Sequence, residues 1–399
     1  MDMSDTMDGI GPDDRDLQPI DRLGIAAAIA SITAVGVALG LGLPLLSVIL
    51  EQRGTSPTMI GVNTAVAGLA SLLAAPLVTP IARRIGVHTT MLVSIVAAGL
   101  AAIGFYVFVP LWTWFPLRLV FHFAITAMFV LSEFWINAAC PPGRRGLILG
   151  IYATVLAMGF ALGPFLFSVV GSAGFLPFGI GAGVIFAAAI PLFLAWNREP
   201  KIESSSSGSF RRFIFAVPAA TGAVLVFGAV ESGGFALFPL YGHAHGFSEA
   251  GAARLLTVIG LGSVLMQIPI GLLSDRVPDR RWMLLAFALV GLTGALALPW
   301  LMESWWLVAA TLFVWGGGVA GLYTVGLAHL GSRLSGTELA AANAAFIFCY
   351  SLGMLVGPQM IGGAMDTLGR DGFAYALALL FAAYLVPIGI RTARSARRS

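Results

Sequence analysis

Twelve long apolar runs constrain what this 399-residue chain can fold into. A helix needs about 20 mostly apolar residues to span a bilayer. The runs are too long for barrel strands, and they lack the alternation of polar and apolar residues that such strands show. The predicted spans are 23–50, 57–81, 87–109, 112–138, 146–170, 174–196, 213–241, 248–274, 282–301, 305–330, 337–364 and 372–390.

The composition leaves little room for a water-soluble protein. Hydrophobic residues make up 58% of the chain and charged residues 10%, against about 45–50% and about 25% in soluble domains. Mean hydropathy is +0.92. Such a chain has too few polar groups to cover a globule, which excludes a soluble enzyme, a disordered scaffold and a nucleic-acid binder. We predict an all-α integral membrane protein with twelve transmembrane helices.

The basic residues predict the orientation in the membrane. Alternate loops and both tails carry 18 of the 22 lysines and arginines. The positive-inside rule therefore predicts that both termini lie in the cytoplasm. We expect the protein to lie in the inner membrane of the cell. Residues 2–22 hold seven aspartates and lack a basic signal-peptide start, so we expect the first span to be retained. Tryptophans beside predicted breaks are typical of an interfacial belt: Trp112, Trp114, Trp305 and Trp306.

A polar stretch divides six spans from six. It contains four consecutive serines and predicts a cytoplasmic linker at 197–212. The linker separates six-helix bundles at 23–196 and 213–390, with an acidic tail at 1–22 and a basic tail at 391–399.

The two halves also resemble each other in sequence. At an offset of about 192 residues, Gly54-Thr55-Ser56 aligns with Gly246-Phe247-Ser248, and Gly68 aligns with Gly260. We therefore predict two six-helix bundles related by a pseudo-twofold axis along the membrane normal. Such a repeat places a binding site at the midplane, between the halves.

The loop between spans eight and nine resembles the G-x-x-x-D-R-x-G-R-R motif of the major facilitator superfamily, with Pro278 in place of the glycine. The resemblance implies that Asp275 contacts a positive helix N-terminus when the cytoplasmic side is closed. A basic loop that only sets topology is the alternative. In the first-half copy Arg83 stands where the aspartate is expected, so this half is expected to lack such a contact. The predicted cytoplasmic gate comprises Asp275, Arg276, Arg280, Arg281, Arg83, Arg84 and Glu133.

Two glycine motifs also resemble a superfamily pattern, G-x-x-x-G-P. One lies in the fifth span and its repeat, at an offset of 194, in the eleventh. Small residues four apart allow close helix approach, and proline bends a helix. A role in gating and a role in packing alone are both open for Gly159, Gly163, Pro164, Gly353, Gly357 and Pro358.

A closer resemblance lies in Glu133-Phe-Trp-Ile-Asn137, in Phe238-Pro-Leu-Tyr241 and in the segment from Gly321 to His329. These segments are similar to the YcaD-like branch of the superfamily, which consists of largely uncharacterised bacterial permeases. The resemblance implies the superfamily fold and transport of a small molecule. It does not specify the cargo.

The charge inside the seventh span is the first candidate for a functional residue. Burying a charge in hydrocarbon costs at least about 2.5–3.5 kcal/mol on insertion scales, and Glu231 has few positive neighbours in sequence. A carboxyl that can be neutral or ionised suits proton coupling. A structural glutamate, neutral and hydrogen-bonded, is the alternative.

The fourth span carries further polar residues along one line. Arg118 could attract an anionic cargo, pair with a carboxyl such as Glu231, or extend to the outer interface. Superfamily proton antiporters carry an arginine here within R-x-x-x-G; because His122 replaces the glycine, only the arginine carries over. His122 is either a packed histidine or a proton relay. Glu133 lies about 22 Å farther along the helix, near the cytoplasm, where we expect it to pair with Arg83 or Arg84; contact with the cargo is the alternative. Cavity lining or helix bridging is expected of Asn63, Gln267 and Asn343.

These features favour a secondary transporter over the other classes. The chain lacks a P-loop for nucleotides and the H-E-x-x-H pattern of a metalloprotease, and its loops are too short for a sensor's output surface. We expect no enzyme activity, no cofactor and no metal, with the proton gradient as energy source and a passive facilitator as the alternative. The expected partners are a small-molecule cargo and the lipid bilayer, without nucleic acid, and the expected state is a monomer.

Overall fold

The structure is a computed structural model that describes residues 21–140, 145–200, 211–332, 334 and 336–396. Helices dominate this part of the chain, and it contains no strand. The α-helices are α1 Arg22–Gln52, α2 Pro57–Ile85, α3 Val87–Val107, α4 Leu111–Ala139, α5 Arg145–Val170, α6 Leu176–Ala187, α7 Ala189–Leu194, α8 Arg211–Ala216, α9 Pro218–Ala244, α10 Glu249–Arg276, α11 Arg280–Leu301, α12 Trp305–Gly331, α13 Gly336–Leu368 and α14 Gly372–Ala396.

Twelve apolar helical segments of the described chain are long enough to cross a membrane, as predicted. The sixth span combines α6 and α7, and the seventh to twelfth spans are α9 to α14. The predicted linker is described only at its ends, and the tails 1–20 and 397–399 lie outside the described residues, as do the loop arginines Arg144 and Arg333.

Two proline residues shift the predicted helix boundaries. The sixth span is interrupted at Ala188, because the ring of Pro191 clashes with the carbonyl four residues earlier. The seventh span does not begin at 213: α8 ends at Ala216, and α9 starts at Pro218. Proline disfavours the helical conformation in the preceding residue, and Val217 is accordingly non-helical, with φ −126° and ψ 63°.

An even number of crossings places both ends of the helical region on the same side. We call this side the tail face; it carries the start of α1 and the end of α14. The other side, which carries Arg53, is the distal face. Trp112 and Trp306 lie near the distal face with 73% and 78% of their surface exposed, as expected for an interfacial belt. Trp114 was wrongly predicted to join them, because it is fully buried and its indole donates to the Phe108 carbonyl.

The turns of the two halves repeat each other in detail. Gly54 and Gly246 both adopt positive φ, 78° and 86°, which glycine tolerates best. Two residues later Ser56 caps the N-terminus of α2, and Ser248 caps that of α10, each accepting a backbone N–H. The alignment found in the sequence thus corresponds to equivalent structural positions.

The glycine motifs pack helices together inside each half. A Cβ on Gly159 would lie 3.2 Å from the Cα of Gly36, so α5 touches the backbone of α1. A Cβ on Gly357 would lie 2.5 Å from the Cα of Ala229, so α13 touches α9 in the same way. Helices α1 and α9 are the most enclosed spans, because 83% of the most apolar stretch of each helix is buried inside the protein. Each is therefore the central helix of its bundle.

Candidate functional site

A cavity of about 420 Å³ lies between the two halves. This volume is within the range of about 300–1,000 Å³ that is usual for small-molecule sites. Its wall includes α1, α2, α4 and α5 from the first half and α9, α10, α12 and α13 from the second. It extends from Leu327 and Asn343 on the tail side, each within about two turns of a helix end, to Leu298 and Phe373 on the distal side, each within one turn of a helix end. Six phenylalanines line it: Phe129, Phe160, Phe227, Phe235, Phe238 and Phe373.

The halves are joined at the distal face. The Thr58 side chain and backbone N–H both donate to the carboxylate of Asp366. Glu249 accepts hydrogen bonds from Ser172 at 2.9 Å and from Gln52 at 3.3 Å. We call these the Thr58–Asp366 latch and the Glu249 latch.

A third contact completes this seal. Glu51 lies 3.3 Å from the imidazole of His243. Every hydrogen bond between two described residues of opposite halves lies at the distal face. Together these contacts close the cavity from that side.

The two latches are equivalent under the pseudo-twofold axis. Asp366 lies 194 residues after Ser172, and Glu249 lies 192 residues after Pro57, the neighbour of Thr58. Close backbone approach supports each latch. A Cβ on Gly68 of α2 would lie 2.7 Å from the Leu355 Cα of α13, and one on Gly260 of α10 would lie 2.8 Å from the Ala161 Cα of α5. The aligned glycines of the repeat thus lie at the two equivalent seams.

The tail face shows a different arrangement in its gate motif. The Asp275 side chain is 77% exposed and lies 3.5 Å from Arg280 of its own loop. Its expected contact with a helix N-terminus is not present among the residues that the structure describes. Asp279, which departs from the family motif, caps α11 and holds Arg281 through both carboxylate oxygens. The hydrogen bond from Arg281 holds the pKa of Asp279 below its usual range.

Glu231 lies at the centre of α9 and lines the cavity. The hydroxyl of Tyr350 donates to its Oε2 over 2.5 Å. Two further rings pack around this pair. The ring of Phe227 stacks on that of Tyr350 with centroids 6.1 Å apart. The ring centroid of Tyr323 lies 5.5 Å from that of Phe227 and 6.2 Å from that of Tyr350. All of them line the cavity. We call Glu231, Phe227, Tyr323 and Tyr350 the Glu231 cluster.

Arg118 is fully buried, so extension of its side chain to the outer interface was a wrong alternative. Its Nε donates to Oδ1 of Asn63 over 2.8 Å. Nη1 and Nη2 have no hydrogen-bond partner among the described residues, nor does Nδ2 of Asn63. Glu231 is paired with Tyr350 instead, so the suggested pair of Arg118 with Glu231 is absent from this conformation.

The other predicted residues divide between the cavity and the surface. His122, Gln267 and Asn343 line the cavity. Glu133, placed by prediction at the gate, also lines it and lies within electrostatic range of Tyr323. Arg83 and Arg84 are exposed at the end of α2.

Sequence reasoning missed the aromatic part of the site. Tyr350 was not among the predicted site residues, although it precedes Gly353 by three residues and so shares its helix face. Because Gly353 packs on Leu225 and Ala229 of α9, this spacing could have placed Tyr350 near Glu231. No spacing pattern in the sequence pointed to the residues of the two latches.

Comparison with known proteins agrees with this architecture. The family model described as Major Facilitator Superfamily matches residues 26–256 and 235–398. The chain belongs to the major facilitator superfamily. As a member it is a transmembrane transporter with two six-helix bundles, and its twelve spans make it a multi-pass membrane protein.

Two relatives within the superfamily are bacterial proteins. The chain is 28% identical over 356 residues to the uncharacterized MFS-type transporter YfkF of Bacillus subtilis (strain 168), covering 87% of this chain and 90% of the relative. It is 26% identical over 341 residues to the uncharacterized MFS-type transporter YcaD of Escherichia coli, covering 84% and 87%. The resemblance to the YcaD-like branch is thereby confirmed.

Solved superfamily structures share the fold. A crystal structure of the nucleoside transporter NupG matches with a TM-score of 0.73 at 15% identity, covering 93% of this chain and 98% of that one. A bacterial homolog of the human lysosomal transporter Spinster, in an inward-facing and occupied conformation, matches with 0.70 at 14% identity, covering 94% and 96%. At these identities the likeness concerns the fold.

Proposed function

We propose that this protein is a secondary active transporter that moves a small solute by alternating access, driven by protons. One observation carries the proposal: among the described residues, the hydrogen bonds between the halves lie at the distal face, and the central cavity lies on the tail side of these bonds. Two rigid bundles joined at one end can rock about a fixed central site. The exposed Asp275 supports an open tail face, because the resemblance assigns its helix contact to the closed state.

The orientation is part of the proposal. The positive-inside rule places the tail face in the cytoplasm of the cell, so this conformation is the inward-facing one. Glu231 is the proposed proton carrier, because it is a titratable group in the cavity at the middle of its span. Among the described residues, the titratable groups that share its cavity are Glu133 and His122 on α4, Tyr323 on α12 and Tyr350 on α13.

The rocking motion can be tested without knowing the cargo. Spin labels on Met59 and Leu368 report the distal face, and labels on Ile85 and Trp282 report the tail face, because all four side chains are exposed. The native cysteines, Cys140 and Cys349, are first replaced by serine. Double electron–electron resonance in nanodiscs should show two distance populations for each pair, and a change of pH should shift them in opposite directions. Shifts of the same sign, or single populations, would refute alternating access.

Transport itself is tested by counterflow in proteoliposomes with a panel of labelled metabolites and drugs. A labelled compound should accumulate transiently inside vesicles preloaded with the unlabelled compound, and not in vesicles without protein. A panel without any such compound, together with immobile halves, would favour a non-transporting role.

A further inference from the structure

We propose that the central cavity binds an organic cation, an ammonium-like charge on an apolar or aromatic body, with the charge held at the Glu231 cluster. This inference rests on the proposed transport function and names its substrate class. It starts from the groups of the cavity wall that can carry a charge: among the described residues that line it, these are the carboxyls of Glu133 and Glu231 and the imidazole of His122, and no lysine or arginine joins them.

The aromatic rings supply the second part of the argument. A cation is attracted to an aromatic face within about 6 Å, and cages of such rings are a known means of binding ammonium groups. Phe227, Tyr323 and Tyr350 lie within 6.2 Å of one another, and Tyr350 is hydrogen-bonded to Glu231. Ring faces and a carboxylate are therefore available together in one wall of the cavity.

The remaining lining argues for an apolar body on that cation. Phe160 and Phe235 meet with centroids 4.7 Å apart across the two halves, on the side toward the distal face. Apolar side chains form most of the cavity wall, which suits an apolar body better than the many hydroxyls of a sugar. An anionic cargo would bring a further negative charge close to two carboxylates, which is unfavourable.

The buried Arg118 does not oppose a cation at this cluster. Its guanidinium is absent from the cavity lining and is held by Asn63 on α2. Arg118 lies seven residues before Ile125 at the middle of α4, or about 10 Å along the helix toward the distal face. Glu231 lies at the middle of α9.

A pair of ions of matched shape tests the proposal. Tetraphenylphosphonium and tetraphenylborate differ in the sign of the charge, and their binding to the full-length protein in nanodiscs is measured by equilibrium dialysis, with empty nanodiscs as blank. We expect saturable binding of tetraphenylphosphonium that tetraphenylborate does not match. Glu231→Gln should weaken it at least tenfold and Phe227→Leu about two- to fivefold. Glu303→Gln, a carboxylate change in an exposed loop, should leave it unchanged.

Three results would overturn the proposal: no saturable phosphonium binding, equal or tighter binding of the borate, or unchanged phosphonium binding in Glu231→Gln. Size-exclusion and thermal unfolding profiles confirm that each variant is folded, and Phe227→Leu serves as the test if Glu231→Gln is not. The spin-label distances are independent of the cargo. If they show alternating access while the phosphonium does not bind, the substrate class fails and the transport function stands.

Discussion

Arg118 on α4 donates from Nε to Oδ1 of Asn63 on α2 over 2.8 Å, with both side chains fully buried. Burying a charge is costly unless it is paired and hydrogen-bonded. Here an amide oxygen, in place of a carboxylate, accepts from one guanidinium nitrogen, Nε. The contact joins two helices of the first bundle beside the cavity residue His122.

Replacing only one member of this pair should destabilise the protein. Asn63→Leu leaves the buried guanidinium without its described partner, a loss of about 1.5–3 kcal/mol for a hydrogen bond to a charged group. Arg118→Met added to Asn63→Leu should recover much of this, because an apolar replacement of a whole buried polar pair is often tolerated. Thermal unfolding in detergent compares the variants. A double variant no more stable than Asn63→Leu would contradict the coupling.

Glu231→Gln should separate accumulation from exchange. The amide cannot carry a proton across the cycle, so gradient-driven accumulation of a cargo identified by counterflow should be lost while solute exchange remains. Glu303→Gln, in an exposed loop, is the matched control. If the Glu231→Gln protein concentrates cargo as well as the parent does, Glu231 has no coupling role and passive facilitation becomes the better description.

The glycine motif of α5 should tolerate no side chain at its tightest position. A Cβ on Gly163 would overlap the backbone of Gly40 and Leu41 of α1, and overpacking of this kind costs about 1–3 kcal/mol. Gly163→Ala should therefore lower the thermal midpoint. Gly150→Ala in the same helix meets no atom within 4 Å and should not lower it. Equal behaviour of the two variants would argue against close packing of α5 on α1.

Weakening the Thr58–Asp366 latch should favour opening of the distal face. Thr58→Val removes the donating hydroxyl, and a typical hydrogen bond contributes about 0.5–1.5 kcal/mol, enough to raise the open population about two- to tenfold. The spin-label pair at Met59 and Leu368 measures this as a larger long-distance fraction. Thr367→Val is the control, since its hydroxyl bonds only within its own helix. An unchanged distance distribution in Thr58→Val would show that the latch does not hold this face closed.

Asp279→Ala should loosen the first turn of α11. Asp279 accepts the backbone N–H of Arg281 at 3.1 Å and its guanidinium at 2.7 Å, and loss of such a cap costs about 0.5–2 kcal/mol. Hydrogen–deuterium exchange at residues 281–284 should rise in Asp279→Ala and much less in Asp279→Asn, which keeps a capping oxygen. Equal exchange in Asp279→Ala and the parent would refute the cap.

The pH dependence of this cap has a defined sign. Its lowered pKa means that Asp279 stays ionised in the folded protein below the usual value of about 3.9. The contribution of the ion pair to stability is therefore fully present at neutral pH and is lost only as the pH falls through that lowered value. Between pH 5 and 8 the difference in the free energy of unfolding between Asp279→Asn and the parent should stay constant.

Much of the fold follows from local features of the chain. The spans were predictable because hydropathy adds up along a helix, and the doubling because Gly54 with Ser56 and Gly246 with Ser248 form the same turn twice. The errors in the helix boundaries arose at Pro191 and Pro218, where the apolar run continues in the sequence but proline prevents the backbone from continuing as one helix. The candidate Glu231 was also accessible, since a carboxyl in the middle of an apolar span is conspicuous.

The sequence by itself determined twelve spans, their division into two like halves and the residues that do not belong in hydrocarbon. Only the tertiary structure decided that Glu231 pairs with Tyr350, that Arg118 pairs with Asn63, and that Thr58 meets Asp366 at the distal face. Hydropathy is a property of one segment, whereas these contacts depend on which helix faces meet and on which of two arrangements the bundles adopt. Residues 119 and 308 positions apart in the chain become partners only when the packing of all the helices is settled.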